Sequence, residues 1–126
     1  MTKRVLLVED DEIIAFLHKH FLEKCGYETI DTVDNGLEAI EDVRKLNPDA
    51  VLMDIRINGE LDGIETAMRI REFSDAPIIF LTGNSDDNTL ERAKTAGKSG
   101  YLIKPVRQED LCEALSLLKL TDTPND

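Results

Sequence analysis

Four short aliphatic runs recur along the chain, and each gives way abruptly to polar residues. These are Val5 to Val8 before Glu9-Asp10-Asp11, Ala50 to Met53 before Asp54, Ile78 to Leu81 before Thr82, and Tyr101 to Ile103 before Lys104. Apolar runs with almost no alternation are typical of strands buried on both faces, as in a parallel sheet covered by helices. Because parallel strands point the same way, the polar residues at their ends should meet at one edge, where open α/β sheets bind ligands.

Helical patterns alternate with these strands. The predicted helices run from about Asp11 to Cys25, from Asn35 to Asn47, from Asp62-Gly63 onward, from Ser85 to Gly97, and around Leu111, Leu115 and Leu118. The more polar segment Tyr27 to Val33 fits an additional strand at a sheet edge. Five strand–helix alternations predict an α/β fold, a (βα)₅ doubly wound three-layer sandwich. We expect one domain over residues 1–120 and a disordered polar tail over residues 121–126.

The apolar residues and the histidines of the first helix each lead to an expectation about burial. The first helix has Ile13, Leu17, Phe21 and Cys25 four residues apart, which predicts one apolar face. His18 and His20 are two apart on the same helix, so they point in different directions and cannot form a metal pair. We expect both histidines to be solvated.

The composition of the chain argues against several kinds of binding partner and cellular location. The net charge of −11 over 126 residues argues against a nucleic-acid groove or an anionic membrane surface as partner. The sequence has neither a run long enough to span a membrane nor the pattern of a signal peptide, so the expected location is the cytoplasm. Cys25 and Cys112 lack metal-ligand spacing, and two reduced, packed thiols are expected there.

The strand ends bring together groups that suit phosphoryl chemistry. Glu9, Asp10 and Asp54 would lie at adjacent strand ends, where two carboxylates about 4 Å apart repel by roughly 4 kcal/mol at an effective dielectric near 20. A divalent cation and Lys104 would relieve that repulsion, and oxygen-only ligands favour Mg²⁺. With Thr82 as a hydrogen-bond donor, the arrangement suits attack of a carboxylate on phosphorus. For Glu9-Asp10-Asp11 alone, a solvated patch capping the first helix is an equal alternative.

These motifs also resemble a known family. Leu-Leu-Val-Glu9-Asp10-Asp11, Val-Leu-Met-Asp54, Phe-Leu-Thr82-Gly and Gly-Tyr-Leu-Ile-Lys104-Pro are similar to the receiver (CheY-like) domain of two-component response regulators. The similarity runs from about Lys3 to Leu118 and implies a flavodoxin-like sheet of order 2-1-3-4-5.

The resemblance implies a phosphorelay function. Asp54 would accept a phosphoryl group from a histidine of a sensor kinase or phosphotransfer protein, and Thr82 and Lys104 would hold the phosphoryl oxygens. Asp10 and Asp54 would bind Mg²⁺, with Glu9 nearby or acting through water and the backbone carbonyl of Arg56 completing the protein ligands. Such a domain is a phosphoprotein in signal transduction rather than an enzyme, and its own chemistry is limited to phosphorylation from small donors and autodephosphorylation.

A switch is implied as well. Thr82 would move toward the phosphate, Tyr101 would turn inward, and the face made by the fourth helix, fifth strand and fifth helix would change shape for an unknown downstream protein. Arg56 and Asn84 occupy the positions that tune the phosphoryl lifetime, and Lys104-Pro105 is expected to be cis. The chain departs from the family at Asn58, which replaces a usual proline in a segment, Ile55 to Asp62, that is one residue longer.

Three other functions compete with this one. An aspartyl-nucleophile phosphatase would need a second acid two residues after Asp54, where this chain has Arg56. A flavodoxin-like cofactor binder would place its phosphate against Glu9-Asp10-Asp11-Glu12, which would repel it. A receiver-like scaffold that is never phosphorylated would be expected to lack Asp10, Asp54, Thr82 or Lys104, and all four are present.

Overall fold

The computed structural model describes residues 3–83, 91–92 and 99–117. The strands are β1 (Lys3–Val8), β2 (Tyr27–Val33), β3 (Ala50–Asp54), β4 (Ile78–Thr82) and β5 (Ser99–Ile103). The helices are α1 (Glu12–Lys24), α2 (Gly36–Leu46), α3 (Gly63–Arg71) and a C-terminal helix, Gln108–Leu117. All five strands pair in parallel in the order β2-β1-β3-β4-β5, which confirms the predicted sheet.

The sheet separates two apolar cores. Leu6 and Val8 face a core shared with α2 and α3, whereas Val5 and Leu7 face a core shared with α1 and the C-terminal helix. Successive residues of a strand point to opposite faces, so an unbroken apolar run supplies both cores at once. The edge strand β2 is mostly exposed or half-buried, as its polar residues predict.

Side chains at the helix starts satisfy the free backbone N–H groups. The Asp11 carboxylate accepts hydrogen bonds from the N–H groups of Ile13 and Ile14 at 2.9 and 3.1 Å, and Asn35 accepts one from Glu38 at 3.0 Å. Asp62 and Glu65 form a full capping box at the start of α3. These caps set the points at which the helices leave the sheet edge.

The connection from β3 to α3 is held close to the strand end. The Gly63 N–H donates to the Ile55 carbonyl at 2.7 Å, and a Cβ on Gly63 would collide with the backbone of Asp54 and Ile55. Asn58 forms a parallel bridge with Asn35, and Gly59 has φ of 97°, in line with a tight turn at Asn58-Gly59. The segment from Ile55 to Asp62 therefore folds back onto the start of α2.

Two expectations about α1 are wrong. Its buried residues are Ala15, His18 and Leu22, while Ile13 is 81% and Leu17 44% exposed. Steps of four residues drift around a helix of 3.6 residues per turn, so a four-apart set does not stay on one face. His18 is 3% exposed rather than solvated because it lies three and four residues from the other two buried positions.

The expectation of two reduced thiols is also contradicted. Cys25, at the end of α1, forms a disulfide with Cys112 of the C-terminal helix, with the Cα atoms 5.4 Å apart. The two cysteines are 87 residues apart in sequence, and only the packing of both helices on one face of the sheet brings them together. Sequence spacing carries no sign of that contact.

The predicted fourth helix, Ser85 to Gly97, lies outside the described residues except for positions 91–92, as does the tail 121–126. Within the described part of the chain, no helix has the length and apolar character needed to cross a membrane.

The close approach at Gly63 generates a stability prediction. Gly63→Ala should lower the free energy of unfolding by about 1–3 kcal/mol, because the added methyl group must push α3 away from Asp54. Urea unfolding followed by circular dichroism measures the change. Gly100→Ala is the matched control, since among the described residues no atom outside its two chain neighbours lies within 4 Å of its added Cβ. Equal stability of the two variants would contradict the packing described here.

Candidate functional site

Four neighbouring strands deliver polar groups to one edge of the sheet. Glu9 and Asp10 follow β1, Asp54 ends β3, Thr82 ends β4, and Lys104 follows β5. The strand registers are level at this edge: Met53 pairs with Val8, and Thr82 pairs with Ile103. The predicted convergence of strand ends is therefore present in the structure.

Three carboxylates form the centre of the site. Oxygen atoms of Glu9, Asp10 and Asp54 all lie within 4.8 Å of one another. Glu9 and Asp54 are 3% and 4% exposed, whereas Asp10 remains accessible to solvent. An oxygen-only donor set of this size fits a hard divalent cation such as Mg²⁺, which binds through few carboxylates and keeps several waters.

The Lys104 side chain forms ion pairs with both Glu9 and Asp54. Its Nζ lies 2.9 Å from Asp54 Oδ2 and 3.3 Å from Glu9 Oε1. The Lys104 N–H donates to the Thr82 carbonyl at 2.8 Å, and the Lys104–Pro105 peptide is cis, the conformation that the family resemblance implies. When all three carboxylates are ionised, the one ammonium leaves two negative charges, which matches the charge of one divalent cation.

Burial and crowding change the titration of this cluster. Burial, followed by the hydrogen bond and charge of the neighbouring Asp54, raises the pKa of Glu9 to about 7 against the opposing charge of Lys104. Burial lowers the pKa of the Lys104 ammonium, but the hydrogen bonds and charges of Asp54 and Glu9 outweigh burial, and its pKa is raised. Lys104 is therefore charged at neutral pH, while Glu9 is close to its titration point.

The other predicted site residues lie at different distances from this centre. The Arg56 N–H donates to Asp54 Oδ1 at 3.2 Å, and the Arg56 side chain is exposed. Thr82 is buried beside Asp54 at the sheet edge, and Tyr101 on β5 is 40% exposed. Asn84 lies outside the described residues, so its lifetime-tuning role stays a prediction.

Sequence reasoning missed several groups that shape the site. Oε2 of Glu9 accepts a hydrogen bond from the Asp11 N–H at 3.3 Å, and Arg92 forms an ion pair at 3.0 Å with Asp62, the cap of α3. Burial lowers the pKa of His18, as does the charge of Lys104, against the opposing charge of Asp54.

Comparison with known proteins identifies a family. Residues 5–116 match the response regulator receiver domain. The chain is 38% identical over 117 residues to the chemotaxis protein CheY of Halobacterium salinarum, covering 92% of this chain and 96% of that protein. Other curated relatives are longer, and the chain spans 56% of one and 47% of another.

Solved structures agree with this assignment. The signal receiver domain of a modulated diguanylate cyclase from Desulfovibrio desulfuricans has a TM-score of 0.86 and 39% identity, with 94% of each chain covered. The receiver domain of the sensor histidine kinase PA1611 from Pseudomonas aeruginosa has a TM-score of 0.79 and 30% identity, with 94% of this chain and 96% of that chain covered. The PA1611 structure has a magnesium ion coordinated in its active-site cleft.

The titration of Glu9 generates a pH prediction. A carboxyl whose pKa is raised to about 7 holds a proton below that pH, and the proton competes with a cation for the same oxygens. Mg²⁺ affinity should therefore rise by about tenfold from about pH 6 to about pH 8, as calorimetric titration can measure. Glu9→Gln should bind more weakly and lose most of this pH dependence. An unchanged pH dependence in Glu9→Gln would show that another group controls binding.

Proposed function

This chain belongs to the response regulator receiver domain family of two-component systems, and from that premise we propose that it accepts a phosphoryl group from a phosphohistidine onto Asp54. The donor would be a sensor histidine kinase or a phosphotransfer protein. The contact of Lys104 Nζ with Asp54 Oδ2, at 2.9 Å beside two further carboxylates, is the observation that carries the proposal.

The reaction moves one phosphoryl group between two side chains. An Asp54 carboxylate oxygen attacks phosphorus, the bond from phosphorus to the donor imidazole nitrogen breaks, and that nitrogen takes up a proton. The Arg56 N–H and Lys104 each bind one Asp54 oxygen, so they orient the carboxylate. Lys104 and the Thr82 hydroxyl would then bind oxygens of the transferred group.

The acidic residues would hold the metal that this chemistry needs. Asp10 and Asp54 would bind Mg²⁺ directly, Glu9 would act nearby or through water, and the Arg56 carbonyl would complete the protein ligands. When bound, Mg²⁺ would withdraw charge from the phosphoryl oxygens. The side chains present fit that role because they offer only oxygen donors and more negative than positive charge.

The rival functions have less support. Arg56 is exposed and cannot supply the second acid of an aspartyl-nucleophile phosphatase. A scaffold that is never phosphorylated has no need for a lysine held between Glu9 and Asp54. The proposed chemistry is therefore acceptance and loss of one phosphoryl group by this domain, in the cytoplasm, rather than turnover of a separate substrate.

The output would be a change in surface shape. Tyr101 is partly exposed on β5 and lines a groove with Leu102 of the same strand and Ala114 and Leu117 of the C-terminal helix. Movement of Thr82 toward a phosphoryl group would open space for Tyr101 to turn inward and remodel this groove, the route by which a downstream protein would read phosphorylation.

A donor protein would need a surface next to Asp54, and α1 provides one. Ile13 and Phe16 are 81% and 76% exposed, and Leu17 is partly exposed beside them. The helix begins directly after Glu9 and Asp10, so a protein that places a phosphohistidine over the site would contact these side chains. Large exposed apolar residues of this kind mark interaction sites.

The acceptor assignment has a direct test. Incubation with acetyl phosphate and Mg²⁺ should add one labile phosphoryl group by intact mass, and EDTA or Asp54→Asn should abolish the addition. Asp75→Asn is the matched control, because Asp75 is exposed and precedes β4 at the opposite edge of the sheet. Labelling that persists in Asp54→Asn, or that fails in the wild type, would overturn the proposal.

The donor surface has a separate test. Phe16→Ala should slow transfer from a phosphorylated histidine phosphotransfer protein by about tenfold, the loss of about 1.4 kcal/mol of contact energy. Labelling by acetyl phosphate should not change, since this donor is too small to contact α1. Met68→Ala, on α3, removes another partly exposed apolar side chain and should leave both rates unchanged. If Phe16→Ala slowed phosphorylation of Asp54 equally with both donors, its effect would lie in the phosphorylation site and not in contact with the donor protein.

A further inference from the structure

The disulfide joins two helices that border the site from opposite ends of the chain. Cys25 ends α1, which begins just after Asp10, and Cys112 lies in the C-terminal helix, which follows Lys104. Both cysteines are half-buried, so small thiols can reach them. No step of the proposed phosphoryl transfer uses either sulfur.

Apolar contacts also hold these two helices together. Ala15 and Leu22 of α1 share a buried core with Leu111 and Leu115 of the C-terminal helix. The Cys25 sulfur also lies 3.9 Å from the Gln108 carbonyl oxygen, which could accept a weak hydrogen bond from a reduced thiol. The same arrangement therefore accommodates both the bonded and the reduced pair.

We propose that Cys25 and Cys112 are a reversible thiol modification site, oxidised to a disulfide and reduced again by small thiols. In reduction, a thiolate attacks one protein sulfur, the protein S–S bond breaks, and the departing sulfur takes up a proton. A second small thiol then attacks the mixed disulfide, which releases the other protein thiol and a small-molecule disulfide. Oxidation is the reverse exchange, with a small disulfide as the oxidant.

The argument that the disulfide is reversible uses the proposed cytoplasmic location, and it therefore rests on the proposed function. Small thiols keep the cytoplasm reducing, and disulfides found there in most organisms are transient, either catalytic or redox-sensing. A half-buried pair held in bonding position by helix packing is suited to such a role. A permanently bonded structural pair would instead resist small thiols in the folded protein.

Oxidation would restrict the surface proposed to carry the output. The Lys104–Glu9 ion pair already connects the segments that lead into the C-terminal helix and α1, and the disulfide adds a second link between the helices. The C-terminal helix supplies Ala114 and Leu117 to the groove that contains Tyr101. Oxidised protein should therefore have a more rigid groove than reduced protein.

The first experiment equilibrates the full chain in glutathione buffers from oxidising to reducing, then alkylates free thiols and measures intact mass. The folded protein should pass from no adduct to two adducts, with an unchanged far-ultraviolet circular dichroism spectrum. Reduction should lower the thermal midpoint by about 10 °C, because the bond constrains a long loop in the unfolded chain. Cys25→Ser and Cys112→Ser should each have the thermal midpoint of the reduced wild type in both buffers and gain a single adduct after reduction, since each keeps one thiol.

The second experiment measures amide hydrogen exchange in both redox states. Amides of residues 108–117 should exchange several-fold more slowly in the oxidised protein, and the serine variants should show no redox response. The proposal is overturned if no bond forms in oxidising buffer, if the folded protein stays bonded in reducing buffer, or if exchange does not change. Acetyl phosphate labelling of both states tests Asp54 independently, so its failure would strike only the phosphoacceptor proposal.

Discussion

Like-charge repulsion at the end of β1 and β3 is the constraint on which the account of this domain depends. Three carboxylates within 4.8 Å of one another are unfavourable by several kcal/mol unless positive charge is brought to them. Lys104 provides part of that charge from the end of β5, and the proposed cation would provide the rest. Because Lys104 neutralises only part of the negative charge of the carboxylates, the site favours binding of a cation. The bound cation would then favour binding of an anionic phosphoryl group.

Apolar packing away from the site keeps these charged groups together. The two apolar cores fix the parallel strands, so their ends cannot separate without exposing apolar surface on both faces. Asp11 is the N-cap residue of α1, and Gly63 allows α3 to approach the backbone of Asp54. Stability and function are coupled here because the same strand ends belong to the core and to the site.

Sequence patterns predicted the elements whose signal is local and strong. Unbroken aliphatic runs identified the strands, and polar residues directly after them identified the site, because parallel geometry alone brings strand ends together. The buried face of α1 was assigned wrongly, since Ile13 and Leu17 are exposed and His18 is buried. The Cys25–Cys112 contact depends on the packing of two helices. Like the Arg92–Asp62 ion pair, it joins residues far apart in sequence, which no local pattern encodes.

The central claim is that one divalent cation binds among these carboxylates, next to Asp54. A crystal structure with Mn²⁺ in place of Mg²⁺, examined by anomalous scattering, tests it most directly. The account predicts one strong peak coordinated by Asp10 and Asp54. A peak coordinated only by Glu12, Asp34 or Glu38, the more distant acids of a cleft that Glu9 and Asp10 also line, with no cation at Asp54, would contradict it.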